Sequence, residues 1–139
     1  HVLGVCLCAA LLGSCATITG AEAEARNRVI QFFTKLHNGE HMQAGDWLAR
    51  ETLQDPAFNA FGGLGRMTNQ VASRASRCGG LQTVEIKTIV REESRFRMTV
   101  QIAFNDPLKC QDSRAAATTE PELWQITALK EEGSWKLKL

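Results

Sequence analysis

Apolar residues recur at a spacing near four through one half of the chain and at a spacing of two through the other, and the change of period divides it. Val29, Phe32, Phe33 and Leu36 share a helical face, which predicts a helix over about 20–37. Thr19 and Glu22 have the form of a capping box at its start, and Asn38-Gly39 supplies its stop. A second helical stretch is expected over about 41–53, with Trp47 and Leu48 on its apolar side and Asp46 exposed. Pro56, following Asp55, opens a third. There Phe58, Phe61, Leu64, Met67 and Val71 keep helical spacing as far as Ala75, while Gly62, Gly63 and Gly65 interrupt and bend the helix.

Beyond Cys78-Gly79-Gly80 the pattern becomes that of half-buried strands. Val84, Ile86, Thr88 and Val90 fall on one side and Glu85, Lys87 and Arg91 on the other. Phe96, Met98, Val100, Ile102 and Phe104 alternate in the same way with Arg95, Arg97, Thr99 and Gln101, so the two runs read as a hairpin turning at Glu92 to Ser94. Setting Val90 opposite Phe96 brings Ile86 to Val100 and Val84 to Ile102. The same register carries Cys78 to about Leu108, two residues short of Cys110, and a bulge at Asn105-Asp106-Pro107 would absorb the difference. Gln111 to Glu120 reads as a loop. Pro121 starts a strand over Leu123 to Lys130 with Trp124, Ile126 and Ala128 alternating, and a turn at Glu131 to Gly133 leads to a last strand with Trp135, Leu137 and Leu139 inward. Helices followed by an antiparallel sheet of at least four strands make an α+β domain with helices on one sheet face.

Composition adds bounds. With 139 residues, 44% hydrophobic and 22% charged, the chain has the make-up of a single globular domain with a modest core. A formal net charge of +1 gives no electrostatic footprint for nucleic acid, and the arginines of the middle segment lie among glutamates as a solvated mixed face.

The first residues change the picture more. Val2 to Leu12 is an apolar run of 11 residues, well short of the roughly 20 that a spanning helix needs and of the length of a signal-peptide core. The chain opens at His1, so the basic start of such a leader is expected upstream of it. Leu12-Gly13-Ser14-Cys15 resembles the bacterial lipobox. That resemblance implies removal of residues 1–14, acylation of Cys15 as the first residue of the mature protein, and a membrane partner reached through lipid. Ala16 after the Cys implies the periplasmic face of the outer membrane in a Gram-negative source. Residues 15–20 then form a short tether, reaching at most about 18 Å over five residues, ahead of a domain over 21–139. Once Cys6 and Cys8 are removed and Cys15 is acylated, Cys78 and Cys110 remain in an oxidising compartment, and they are expected to pair.

The Phe32-Phe33 helix with its Asn38-Gly39 end, the Gly79-Gly80-Leu81 entry to the sheet, and the closing Trp124 and Gly133-Ser134-Trp135-Lys136-Leu137 resemble the nuclear transport factor two-like, or cystatin-like, superfamily. Within it the likeness is to small bacterial lipoproteins carrying a domain of unknown function of the lumazine-binding type. The resemblance implies a cone whose curved sheet and long helix enclose a pocket, and dimers through the outer sheet face.

Enzymes of that superfamily, such as ketosteroid isomerase and scytalone dehydratase, work with Asp, His and Tyr inside the cone. This chain has no Tyr. His37 and His41 would share a face only on an unbroken helix, and Asn38-Gly39 breaks it, so both read as loop histidines rather than metal ligands. No catalytic residue, metal or cofactor is expected. Phe32, Phe33, Trp47, Phe58, Phe61, Met98, Phe104, Trp124 and Trp135 form an apolar set able to line a cavity or to fill a core. The expectation is a noncatalytic envelope module for a small apolar ligand or a protein partner. An isomerase- or dehydratase-like enzyme, or a structural accessory of an envelope complex, stands as the alternative, and a buried polar cluster in the cone would favour the enzyme.

Overall fold

A computed structural model describes residues 20–110 and 122–139. The leader, Cys15, Thr19 of the capping box, the 111–120 loop and Pro121 lie outside the described residues. Helix α1 spans Gly20–His37. Its buried face carries Ala25, Val29, Phe32, Phe33, Leu36 and His37, the spacing that makes a helix amphipathic. It stops where the pattern puts the stop. Gly39 takes φ +81°, and the Glu40 N–H donates to the Lys35 carbonyl at 3.0 Å, an αL termination that glycine adopts without steric cost.

The segment expected as one helix over 41–53 is two short ones, α2 at His41–Asp46 and α3 at Arg50–Leu53. Between them the chain is drawn out to meet the sheet. The Leu137 N–H donates to the Trp47 carbonyl and the Ala49 N–H to the Leu137 carbonyl, both at 2.7 Å, in an isolated parallel bridge. The third expected helix also divides, into α4 at Pro56–Ala60, capped by the Asp55 carboxylate, and α5 at Gly63–Arg77. Phe61-Gly62 is the break, sharper than a bend.

Four antiparallel strands follow in the order β1-β2-β3-β4: β1 Leu81–Glu92, β2 Arg95–Phe104, β3 Glu122–Glu131 and β4 Ser134–Lys138. On β2 every inward residue from Phe96 to Phe104 is buried, as the alternation requires. On β1 the expected register holds for Ile86 opposite Val100 and Val84 opposite Ile102, then slips by one. An irregularity between Ile86 and Thr88 sets Ile89 opposite Met98 and Arg91, not Val90, opposite Phe96. One extra residue reverses every later side chain, so Ile89 turns inward and Val90 is 46% exposed.

Cys78 and Cys110 form a disulfide with Cα atoms 4.8 Å apart. The second β1 irregularity, between Leu81 and Thr83, sets Leu81 opposite Phe104 and carries Cys78 to about Pro107, and a 3₁₀ turn over Pro107–Cys110 brings Cys110 back to it. The Asp106 N–H donates to the Cys78 carbonyl at 2.8 Å and fixes the approach. A Cβ on Gly79, at φ +81°, would come within 3.3 Å of that Asp106 nitrogen.

Helix α1 lies across the inner face of the sheet. Val29, Phe32, Phe33 and Leu36 join Phe96, Met98, Val100, Ile102, Ile126, Ala128 and Leu137 in one continuous core. Helix α5 closes the flank through Val71 and Ala75.

Candidate functional site

Stepping by four along the buried face of α1 leads from Val29 to Phe33 to His37, so the last helical residue inherits an inward position. The His37 side chain is fully buried. This corrects its reading as a loop histidine: the glycine stop comes two residues later and leaves the imidazole inside. His41, which opens α2, is exposed.

The Nδ1 of His37 lies 2.7 Å from the Phe33 carbonyl oxygen. A carbonyl only accepts, so Nδ1 carries the proton, and in the neutral ring Nε2 presents a lone pair. Nε2 has no hydrogen-bond partner among the described residues. Glu122 Oε2 lies 3.5 Å from Nε2, within ion-pair range when the ring is protonated.

Glu122 is the first residue of β3 and shares the inward parity of Trp124, Ile126 and Ala128. Its side chain is 14% exposed. Trp124 Nε1 donates to its Oε2 at 3.0 Å, and Arg74 Nη1, from α5, donates to its Oε1 at 2.5 Å. Burial pushes the Glu122 carboxyl up, but hydrogen bonding from His37 and Trp124 and the charges of Arg74 and His37 outweigh it, so the group stays ionised below the usual carboxylate range. The Arg74 side chain is 52% exposed, stands at the mouth of the site and lies over the Phe104 ring at 5.8 Å.

These groups surround a cavity of about 200 Å³, walled by Val71, Phe104 and Trp124 and edged by Gln70. It is smaller than the roughly 300–1,000 Å³ of pockets for drug-sized ligands, so it suits a small molecule or one end of a larger one. The walls are apolar and the floor is polar. A surface groove between α1 and β1, beside Ile30, Val84 and Ile86, is larger at about 480 Å³ but has no buried polar atom aimed into it. Among the described residues no three His, Cys, Asp or Glu side chains gather as a metal site would need.

The apolar residues singled out in the sequence fall in several places. Phe104 and Trp124 line the cavity. Phe32, Phe33 and Met98 are fully buried in the core. Trp135 packs at 5.6 Å on Phe96 and donates from Nε1 to Glu24 at 3.3 Å. Trp47 is half-buried with the Arg28 guanidinium 4.9 Å above its ring, and Phe58 is half-buried beside the core. Phe61, at the helix break, is 72% exposed. Sequence reading missed Glu122, Arg74 and Gln70. The signal for Glu122 was an acid at an inward position of an alternating strand; for Arg74 it was adjacency to the Met67, Val71, Ala75 face of α5.

Fold and cavity together define an α+β domain of the NTF2-like kind, a fold that commonly forms ligand-binding or enzyme pockets. The chain is similar to a Campylobacter jejuni protein described as an NTF2-like transpeptidase, with a TM-score of 0.62 and 14% identity over 82% of this chain and 96% of that one. It is also similar to a de novo designed NTF2 fold protein, with a TM-score of 0.50 and 16% identity over 84% of this chain and 83% of that one. No family model matches the sequence, and no curated protein matches it. Likeness at this level of identity establishes the fold and leaves function to the site.

Proposed function

We propose that this chain is a membrane-anchored lipoprotein of the cell envelope whose domain is a noncatalytic binding module for a small, largely apolar ligand. The observation that carries the binding reading is the cavity, with aromatic walls and the buried His37–Glu122 pair among its lining residues. The anchoring reading rests on Leu12-Gly13-Ser14-Cys15 and agrees with the Cys78–Cys110 disulfide, a bond that persists in oxidising compartments.

The enzyme alternative has one observation in its favour, the juxtaposition of His37 and Glu122. Nε2 of a neutral His37 could take a proton from a substrate. Glu122, held ionised by its neighbours, is not a proton donor, and a second acid does not line the cavity among the described residues.

Expression with a bacterial leader in the presence of radiolabelled palmitate tests the anchor. Label should enter the wild-type chain and disappear with Cys15→Ser; equal labelling of both, or of neither, removes the lipoprotein reading. Thermal-shift screening with small aromatic and aliphatic metabolites tests the module. Stabilisation that a cavity-filling Val71→Phe abolishes is the expected result, while co-purification of an envelope protein with no ligand effect would favour the partner-binding or structural role.

A further inference from the structure

Resting on the anchored reading, we infer that the outer face of α5 docks on the anionic lipid headgroups of the membrane to which the chain is tethered. The mixed face expected of the middle arginines is confined to the sheet, where Arg95 pairs with Glu51 at 2.9 Å and Arg97 with Glu92 at 3.0 Å. Helix α5 differs. Over its 15 residues it carries Arg66, Arg74 and Arg77 and no Asp or Glu, in a chain whose formal net charge is only +1. Arg74 pairs with Glu122, while Arg66 and Arg77 form no ion pair among the described residues. Arg66, Ser73 and Arg77 stand at i, i+7 and i+11, which makes one exposed row about 16 Å long on the side of α5 turned away from the buried Thr68 and Ala75.

Basic residues on an exposed helix surface are drawn to anionic lipid, and an exposed aromatic beside them can enter the boundary between headgroups and acyl chains. Phe61, two positions before the helix, is exposed and supplies that group. The tether brings the surfaces together. Cys15 stands five residues before Gly20, so the lipid and the start of α1 are at most about 18 Å apart. The pull of a charged bilayer fades over about 8–10 Å, a range that such a tether keeps within reach. The α5 row meets it with cations that no acid of the described chain neutralises. Gln70 and Arg74 lie in the adjacent row of the same helix and edge the cavity, so docking on this face sets the cavity mouth near the headgroup layer.

The processed chain is placed on vesicles of phosphatidylglycerol or of phosphatidylcholine, and the rate at which phenylglyoxal modifies each arginine is read by peptide mass. Arg66 and Arg77 should react about tenfold more slowly on phosphatidylglycerol than on phosphatidylcholine, and the difference should vanish in high salt. Arg91 and Arg97, exposed on the sheet, should react alike on both. Equal protection of all four arginines would reduce the effect to net attraction and overturn the docking face, and so would protection of none. Soluble polyglutamate added to the phosphatidylcholine sample tests an acidic polypeptide; protection of Arg66 and Arg77 by polyglutamate alone would overturn the lipid partner. The anchor is read separately. A chain that carries no acyl mass and does not float with phosphatidylcholine vesicles loses the anchored reading, and on phosphatidylglycerol vesicles the same two arginines still uphold or overturn the lipid-facing assignment of α5.

Discussion

Where α1 begins, helix and sheet interlock, and where it finishes, they part. Near its start, Ala25, Val29 and Phe32 are fully buried, and Phe96 and Trp135 close the layer with rings 5.6 Å apart. At its end the same helix face presents His37, and the opposing strands supply Phe104, Glu122 and Trp124 around open space. Interior packing at crystal-like density leaves no room for a ligand, and here the open space lies at the other end of the helix from the tightest layer. The choice between a filled core and a lined pocket, which composition leaves open, is resolved by position along one helix.

The largest effect that tests this division is expected at the packed end. Phe32→Ala should cost about 3–5 kcal/mol in urea unfolding, as removal of a fully buried aromatic does. A loss smaller than that from substitutions around His37 would break the comparison. Next is the covalent link between the end of α5 and the turn after β2. Reduction, or Cys78→Ser with Cys110→Ser, should lower stability by about 3–4 kcal/mol on the loop-entropy model. Intact mass after alkylation should find neither thiol free in exported protein.

The smallest effect belongs to the cavity and depends on pH. The Glu122 carboxyl is held lower in the folded chain than in the unfolded one, so its contribution is fully present above the ordinary glutamate pKa of about 4.3. It is lost as the pH falls through the folded-state value. Glu122→Gln should therefore lower the neutral plateau of a stability–pH profile and flatten its acid limb, meeting the wild-type curve at low pH. Glu51 is lowered too, through bonds from Arg95 and Lys138. That site is exposed and screened by salt, so the slope remaining in Glu122→Gln should vanish at high ionic strength. A slope identical to wild type at all salt concentrations would place the titrating group elsewhere.

What could be read ahead of the structure follows the range of the interaction. The bounds of α1 come from local signals, the 29–32–33–36 face and the Asn38-Gly39 stop, and both hold. The hairpin and its Ile86–Val100 pairing come from alternation and also hold. The slip after Ile86 was hidden because Ile89 and Val90 are adjacent β-branched residues, and either satisfies an apolar pattern; only the pull of Met98 and the core across the sheet selects Ile89. Likewise 41–53 reads as one helix until Leu137 claims the backbone of Trp47 and Ala49. The cavity was least legible, since His37, Arg74 and Glu122 meet through tertiary packing of α1, α5 and β3. Even so, an inward histidine four after Phe33 and an inward acid two before Trp124 were visible in the pattern.

The two register slips in β1 bear on a hazard common to open sheets. At the other border the Trp47–Ala49 backbone already occupies β4, so among the described residues β1 is the open margin. A straight twelve-residue margin would be a template on which identical chains could align and polymerise. Kinks after Leu81 and Ile86, with Glu85 and Lys87 flanking the second, spoil that template along its length. An edge interrupted in this way is a poor surface for strand addition by a second copy.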